Sequence, residues 1–239
     1  MGAGGGSVAL WLAERVAPTG SVLATDIKPG LIPRRPGLTV AQHDIVNDPL
    51  PESAFDLIHA RLVLSHLPRR RQVLERLRTV LRPGGWLQID EIDITHWVAP
   101  PTLGPRVRDL YGAYVAAMTR VLSAAGSDPT WGRSAARDMK EAGLVEVDPV
   151  CWTEMWGPGS PGVGLLISNS LHLEDRLLEA GMTRSCSGRF ARSWRIPSSG
   201  RRPSPSTRFS PADRREPRGG RRTVSSPARR AARAVRPWP

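Results

Sequence analysis

The stretch that decides the fold is residues 1–27, MGAGGGSVALWLAERVAPTGSVLATDI. Val8, Trp11, Leu12 and Val16 recur at helical spacing, so Ser7 to Val16 is predicted as a helix. Ser21 to Ile27 is a β-branched run stopped by Lys28-Pro29-Gly30, a strand followed by a turn. The loop ahead of the helix is Gly2-Ala3-Gly4-Gly5-Gly6. Such glycines permit positive φ and let a ligand approach the main chain, while free N–H groups at the helix start favour a carboxylate or phosphate. Asp26 closes the strand, where a carboxylate can accept both hydroxyls of a ribose.

The alternation continues outward. Leu38 to Asp44 (LTVAQHD) is predicted as a second strand and FDLIHA, within Phe55 to Leu64, as a third. Val73, Leu74, Leu77, Val80 and Leu81 mark a helix from about Pro68 to the stop at Pro83-Gly84-Gly85, and Gly85 to Ile92 (GWLQIDEI) follows as a strand. Val107, Leu110, Tyr111, Tyr114, Val115, Met118, Val121 and Leu122 form the apolar stripe of a longer helix. Further helices are expected at Ser134 to Ala142 and Leu171 to Gly181, with a strand at Leu144 to Met155 between them. Alternating strands and helices predict an α/β fold with a mostly parallel sheet. Asp26 and Asp44 then end neighbouring strands on one rim, where open α/β sheets bind ligands.

Composition divides the chain in two. The 239 residues carry a net charge of +12, but residues 184–239 hold 16 Arg, no Lys, one Asp and one Glu, which leaves residues 1–183 at −2. That last segment is 44 parts in 56 Arg, Ser, Pro, Ala and Gly, too poor in apolar area to offset its ordering entropy, and is expected to be disordered. A polyanion-binding arm is one meaning of it. Translation of GC-rich DNA out of frame is the other, and the absence of Lys favours it. No apolar run approaches a membrane span and no secretion signal is visible, so a cytoplasmic protein without a membrane partner is expected. Cys151 and Cys186 lack metal-type spacing, and no metal site is expected.

Two nucleoside cofactors compete for the rim. Gly4-x-Gly6-x-x-Ala9 satisfies a dinucleotide spacing, which keeps an NAD(P)-dependent reductase in view. A short-chain reductase needs a Lys four residues after a Tyr, and neither Lys28 nor Lys140 stands there.

GAGGGSVALWLAERVAPTGSVLATDI, QHDIVNDPLP, FDLIHARLVLSHLP and VLRPGGWLQIDEID together resemble the successive motifs of class I S-adenosylmethionine-dependent methyltransferases of the small-molecule type. The resemblance covers about residues 1–180 and implies a Rossmann-like sheet with helices on both faces, S-adenosylmethionine as cofactor and a small-molecule methyl acceptor. It implies that Gly2, Ala3, Gly4 and Gly6 pass the methionine end of the cofactor. Asp26 with Ile27 would hold the ribose, Asp44 with Ile45 would flank the adenine, and Ala60 with Arg61 would lie beside the sulfonium. It also places an antiparallel strand near Val145. Nucleic acid is expected only as a non-specific ligand of the tail. A non-catalytic Rossmann-like remnant with a polyanion-binding tail is the alternative from another class.

No catalytic residue is nominated, because methyl transfer from a sulfonium asks mainly for positioning. His66 is read as a residue at the start of a helix rather than a base. Asp90, Glu91 and Asp93 form an acidic rim that either faces substrate or is half solvated. Trp97, Trp131, Trp152 and Trp156 are read as packing residues.

The chain departs from the family at both ends. The family has a central strand immediately before the glycine loop, where this chain has Met1, and a last antiparallel strand where it has the Arg-rich tail. The expectation is a methyltransferase-like domain over 1–183 that lacks its first strand and its last, through a late start and a frame slip near Met182 to Arg184. Three buried apolar side chains of a central strand would be worth roughly 5–9 kcal/mol, against a total stability of about 5–15 kcal/mol for an ordinary domain.

Overall fold

A computed structural model describes residues 1–97, 99, 104–156 and 160–183. The disordered-tail expectation and Cys186 lie outside these residues, and so does the frame slip beyond Thr183. The first half contains helix α1 (Ser7–Val16), strands β1 (Val22–Asp26), β2 (Leu38–Gln42) and β3 (Phe55–Arg61), helix α2 (Arg70–Val80) and strand β4 (Leu81–Asp90). The second half is helical: α3 (Pro105–Ala124), α4 (Ala135–Glu141), α5 (Pro161–His172) and α6 (Glu174–Glu179).

Among the described residues both strand pairs are parallel, as an α/β protein with crossover helices requires. β1 pairs with β2 from Val22↔Leu38 to Asp26↔Gln42, and β3 pairs with β4 from Leu57↔Trp86 to Arg61↔Asp90. The two pairs are separate two-stranded sheets. The N-terminal segment bonds to a strand of each pair. The Met1 amino group donates to the His59 carbonyl at 2.8 Å, and the Ala3 N–H donates to the Thr25 carbonyl at 3.0 Å. Met1 to Ala3 thus touches β3 on one side and β1 on the other, at the level where both strands approach their carboxyl ends.

Packing explains where the elements sit. Small Ala9 and Ala13, one turn apart on α1, are buried against Ala24, Ile32 and Leu38. This replaces the predicted Val8–Trp11–Leu12–Val16 stripe as the sheet-facing side, because alanines let the helix approach the strands closely. Trp11 is 37% exposed and lies beneath the Arg15 guanidinium, 4.7 Å from the ring centre. Val73, Leu74, Leu77 and Val80 of α2 are buried with Ile58, Ala60, Leu81 and Trp131, each large side chain contributing about 1.5–3 kcal/mol. β4 starts at Leu81, four residues ahead of the predicted Gly85, because Leu81 already pairs with Phe55 before a register shift accommodates Pro83 to Gly85.

A second core joins the helices. Leu110, Tyr114, Ala117 and Met118 of α3 pack with Val163 and Leu166 of α5, Leu177 of α6 and Ile94. Trp97 and Trp156 meet edge to face on its border, with ring centres 5.7 Å apart.

The strand expected at Leu144 to Met155 does not form. Val145, Val150, Trp152 and Met155 are 84%, 82%, 71% and 63% exposed along an irregular segment. Alternation makes a strand only where an edge receives it, and no strand among the described residues pairs with this segment. Trp152 is therefore not a packing residue here. The predicted helix Leu171 to Gly181 is divided at Leu173 between the end of α5 and α6.

Candidate cofactor site

The rim at the carboxyl ends of β1 and β2 collects the glycine loop and two acids. Gly6 is the N-cap of α1, with φ +79° and its would-be Cβ 2.9 Å from Ile32 Cγ2, so both conformation and space call for glycine. No side chain caps α1 and its first turn holds no acid, so the N–H groups of Ser7, Val8 and Ala9 lack an i−4 partner at the positive end of the helix dipole. Side chains added at Gly4 or Gly5 would meet nothing within 4 Å, so that face of the loop is open.

Asp26 ties the loop to the strand. Its Oδ2 accepts the Gly4 N–H at 2.8 Å and its Oδ1 accepts the Lys28 N–H at 2.9 Å. The Lys28 N–H is the main cause that holds its pKa below the ordinary carboxylate value; partial burial opposes this and the Gly4 N–H adds to it. Each carboxylate oxygen keeps further acceptor capacity for a hydroxyl. Ile27 beside it is 62% exposed.

Asp44 is joined to this rim through the backbone, since the His43 N–H donates to the Asp26 carbonyl at 3.0 Å. Its own carboxylate organises a turn. Oδ1 accepts from the Val46 N–H at 2.9 Å and Oδ2 from Asn47 Nδ2 at 2.7 Å, and these, Val46 first, lower its pKa. Arg76 of α2 donates to the carbonyls of Ile45, Val46 and Asp48, which fixes the turn from behind. In the sequence Arg76 shows only as an arginine on the helix that follows an Asn-Asp-Pro turn, too weak a signal to single it out.

The end of β3 closes the other side. Val63 walls the glycine loop so tightly that a Cβ on Gly2, where φ is +59°, would sit 2.3 Å from Val63 Cγ2. Arg61 is exposed at the strand end, whereas the Ala60 side chain is 0% exposed in the core beneath. Ala60 can border the crevice only through its backbone.

The acidic rim is used internally. Asp90 Oδ2 lies 2.9 Å from His59 Nε2 and its Oδ1 accepts from Gln88 Nε2 at 2.9 Å; His59 is the main cause of its lowered pKa. Asp93 takes Arg133 and Thr95, and Glu91 takes three backbone N–H groups. His66 Nδ1 is 3.0 Å from the Ser127 hydroxyl. No group of three or more metal-ligating side chains, and no helix long and apolar enough to cross a membrane, occurs among the described residues.

Residues 1–87 match the methyltransferase domain family. The chain is 34% identical over 158 residues to methyltransferase str2 of Strobilurus tenacellus, covering 62% of this chain and 55% of that one. It is 32% identical over 138 residues to methyltransferase str3 of the same fungus, covering 56% and 47%. Thus the chain spans about half the length of the curated relatives it matches. Among solved structures, an S-adenosylmethionine-dependent methyltransferase from Mesorhizobium loti aligns at 25% identity with a TM-score of 0.36, over 39% of this chain and 45% of that one. The match to the methyltransferase domain family thus lies in the first 87 residues, and over about half their length the chain is similar to methyltransferases.

Proposed function

We propose that this domain binds S-adenosylmethionine at the rim of β1 and β2 and transfers its methyl group to a small molecule. The observation that carries the reading is the bond from the Gly4 N–H to Asp26, which holds an open glycine face and an ionised acid side by side. When bound, the cofactor supplies an electrophilic methyl group.

The chain's own residues fit it. The uncapped N–H groups at the start of α1, with Gly2, Ala3, Gly4 and Gly6 leading into them, suit a carboxylate. Asp26 suits a ribose diol, with Ile27 beside it, and the rigid turn at Asp44 and Ile45 suits a flat base. Ala60, by its backbone, and Arg61 border the side from which an acceptor approaches. Holding acceptor and methyl in near-attack geometry is worth roughly 7–11 kcal/mol at best, and no dedicated base is required. A body of net charge −2 over residues 1–183 offers no basic stripe for a nucleic acid, which favours a small acceptor.

Calorimetric titration of S-adenosylhomocysteine into the chain and into Asp26→Ala tests the reading. Saturable binding by the parent, weakened about tenfold or more in the variant, is expected. Absence of binding, with salt-dependent DNA binding, would establish the non-catalytic remnant; saturable binding of NAD(P) instead would establish a reductase.

A further inference from the structure

Between β3 and the 3₁₀ turn Leu64–His66, the chain makes a tight bend that forms the wall of the glycine loop. The bend is strained. Leu62 has φ +54°, a conformation a branched side chain adopts only when its surroundings hold it there. One side chain supplies three of the hydrogen bonds that hold it. Glu91, the residue after β4, directs Oε1 at three successive backbone N–H groups, of Val63 at 3.1 Å, Leu64 at 2.8 Å and Ser65 at 3.3 Å. Its Oε2 is buried and has no hydrogen-bond partner, so every hydrogen bond found for this carboxylate runs to the bend. The far side is fastened separately: the Leu62 N–H donates to the Asp90 carbonyl at 2.9 Å, and Arg70 donates to the carbonyls of Leu64 and Ser65.

We propose that Glu91 is a positioning residue: it sets the affinity of the glycine loop for cofactor by clamping Val63 against Gly2. The proposal rests on the methyltransferase reading. Three N–H groups turned toward one oxygen form a small anion nest, and they have no other acceptor if that oxygen withdraws. Val63 then moves, and Gly2, which touches it, loses the wall that fixes its left-handed backbone.

Reach and charge separate cleanly in two conservative variants. Glu91→Gln keeps an oxygen at the same distance along the side chain but buries an amide nitrogen without an acceptor, a cost to global stability that leaves the three donors bonded. Glu91→Asp keeps the charge and withdraws the oxygen by one methylene. Amide hydrogen exchange and calorimetry with S-adenosylhomocysteine are measured on both. In Glu91→Asp, exchange at Val63, Leu64 and Ser65 is expected to quicken about tenfold or more while α2 amides stay protected, and affinity to fall about tenfold. Glu91→Gln, although less stable overall, is expected to stay within about threefold of the parent in affinity and in exchange at these three amides relative to α2, because the three donors keep their acceptor. Unchanged exchange in Glu91→Asp, or faster exchange with unchanged affinity, overturns the role of Glu91. A parent chain that fails to bind S-adenosylhomocysteine overturns the methyltransferase reading, and this role with it.

Discussion

The amino nitrogen of Met1 donates to the carbonyl oxygen of His59 across 2.8 Å, in the place where a strand's peptide N–H would pair with β3. Burial is the main cause that lowers its pKa from the ordinary 8.0, with Asp26 pulling weakly the other way. The folded state therefore binds this proton less tightly than the unfolded chain. Stability is expected to rise with pH from the depressed folded value up to about 8, and to flatten above it. Urea melts of the chain and of an N-terminally acetylated form, between pH 5 and 9, measure the effect as a difference. The free-amine chain should gain on the acetylated one as pH rises, and a constant difference would show that the amine is solvated.

The same contact lies in a slot between the edges of β1 and β3 that β2 and β4 do not use. Val22 and Asp26 turn their hydrogen-bonding groups to β2, so alternation turns those of Leu23 and Thr25 to the opposite edge, where Ala3 already meets Thr25. Leu23 and Leu57 are 41% and 46% exposed. Fusing five apolar β-branched residues ahead of Met1 is expected to pair both edges and stabilise the domain by about 4 kcal/mol or more, from three buried side chains. A polar segment of equal length serves as the control. Equal unfolding midpoints for the two fusions would refute the slot.

Three of the four loop glycines are expected to separate stability from binding. Gly6→Ala forces an alanine to φ +79° and 2.9 Å from Ile32 Cγ2, and Gly2→Ala drives a methyl to 2.3 Å from Val63 Cγ2. Each should cost about 1–3 kcal/mol in denaturant melts. A methyl at Gly5 meets nothing within 4 Å. Gly5→Ala should therefore melt like the parent, yet weaken S-adenosylhomocysteine about tenfold if the open face is where the ligand lies. Loss of stability without loss of affinity would place the ligand elsewhere.

Much of this was legible in the residues. Local signals sufficed for α1, β1, β2, β3 and α3, where a period of 3.6 or a β-branched run between breakers leaves one solution. Glycines and acids at strand ends could be placed on one rim because parallel strands put their carboxyl ends together. What escaped depends on partners distant in sequence. Leu144 to Met155 alternates but finds no edge, and Ala9 with Ala13 outcompetes the larger Trp11 because the strand pair rewards close approach. Arg76 and Glu91 act on backbone groups 26 to 31 residues away, a relation no local pattern encodes.

Trp131 and Asp138 supply the last case. Trp131 is 1% exposed and donates its indole N–H to Asp138 Oδ2 at 2.8 Å, while Arg71 and Arg137 reach Oδ1 at 3.1 and 3.2 Å. Burial acts to raise the pKa of Asp138, but the indole and the two guanidiniums outweigh it and lower the value. Its stabilisation is thus present above the ordinary 3.8 and is lost as pH falls through the folded value. Both arginines are more than half exposed, at 59% and 62%, so their attraction is screened and worth little. The indole bond is not. Asp138→Ala, which leaves that N–H buried without an acceptor, is expected to cost about 3 kcal/mol at pH 7, whereas Arg71→Ala and Arg137→Ala should each cost under about 1 kcal/mol. Urea melts with and without added salt decide the matter. A penalty for Asp138→Ala that disappears at high salt would assign the site to the arginines, because a buried neutral donor is insensitive to screening.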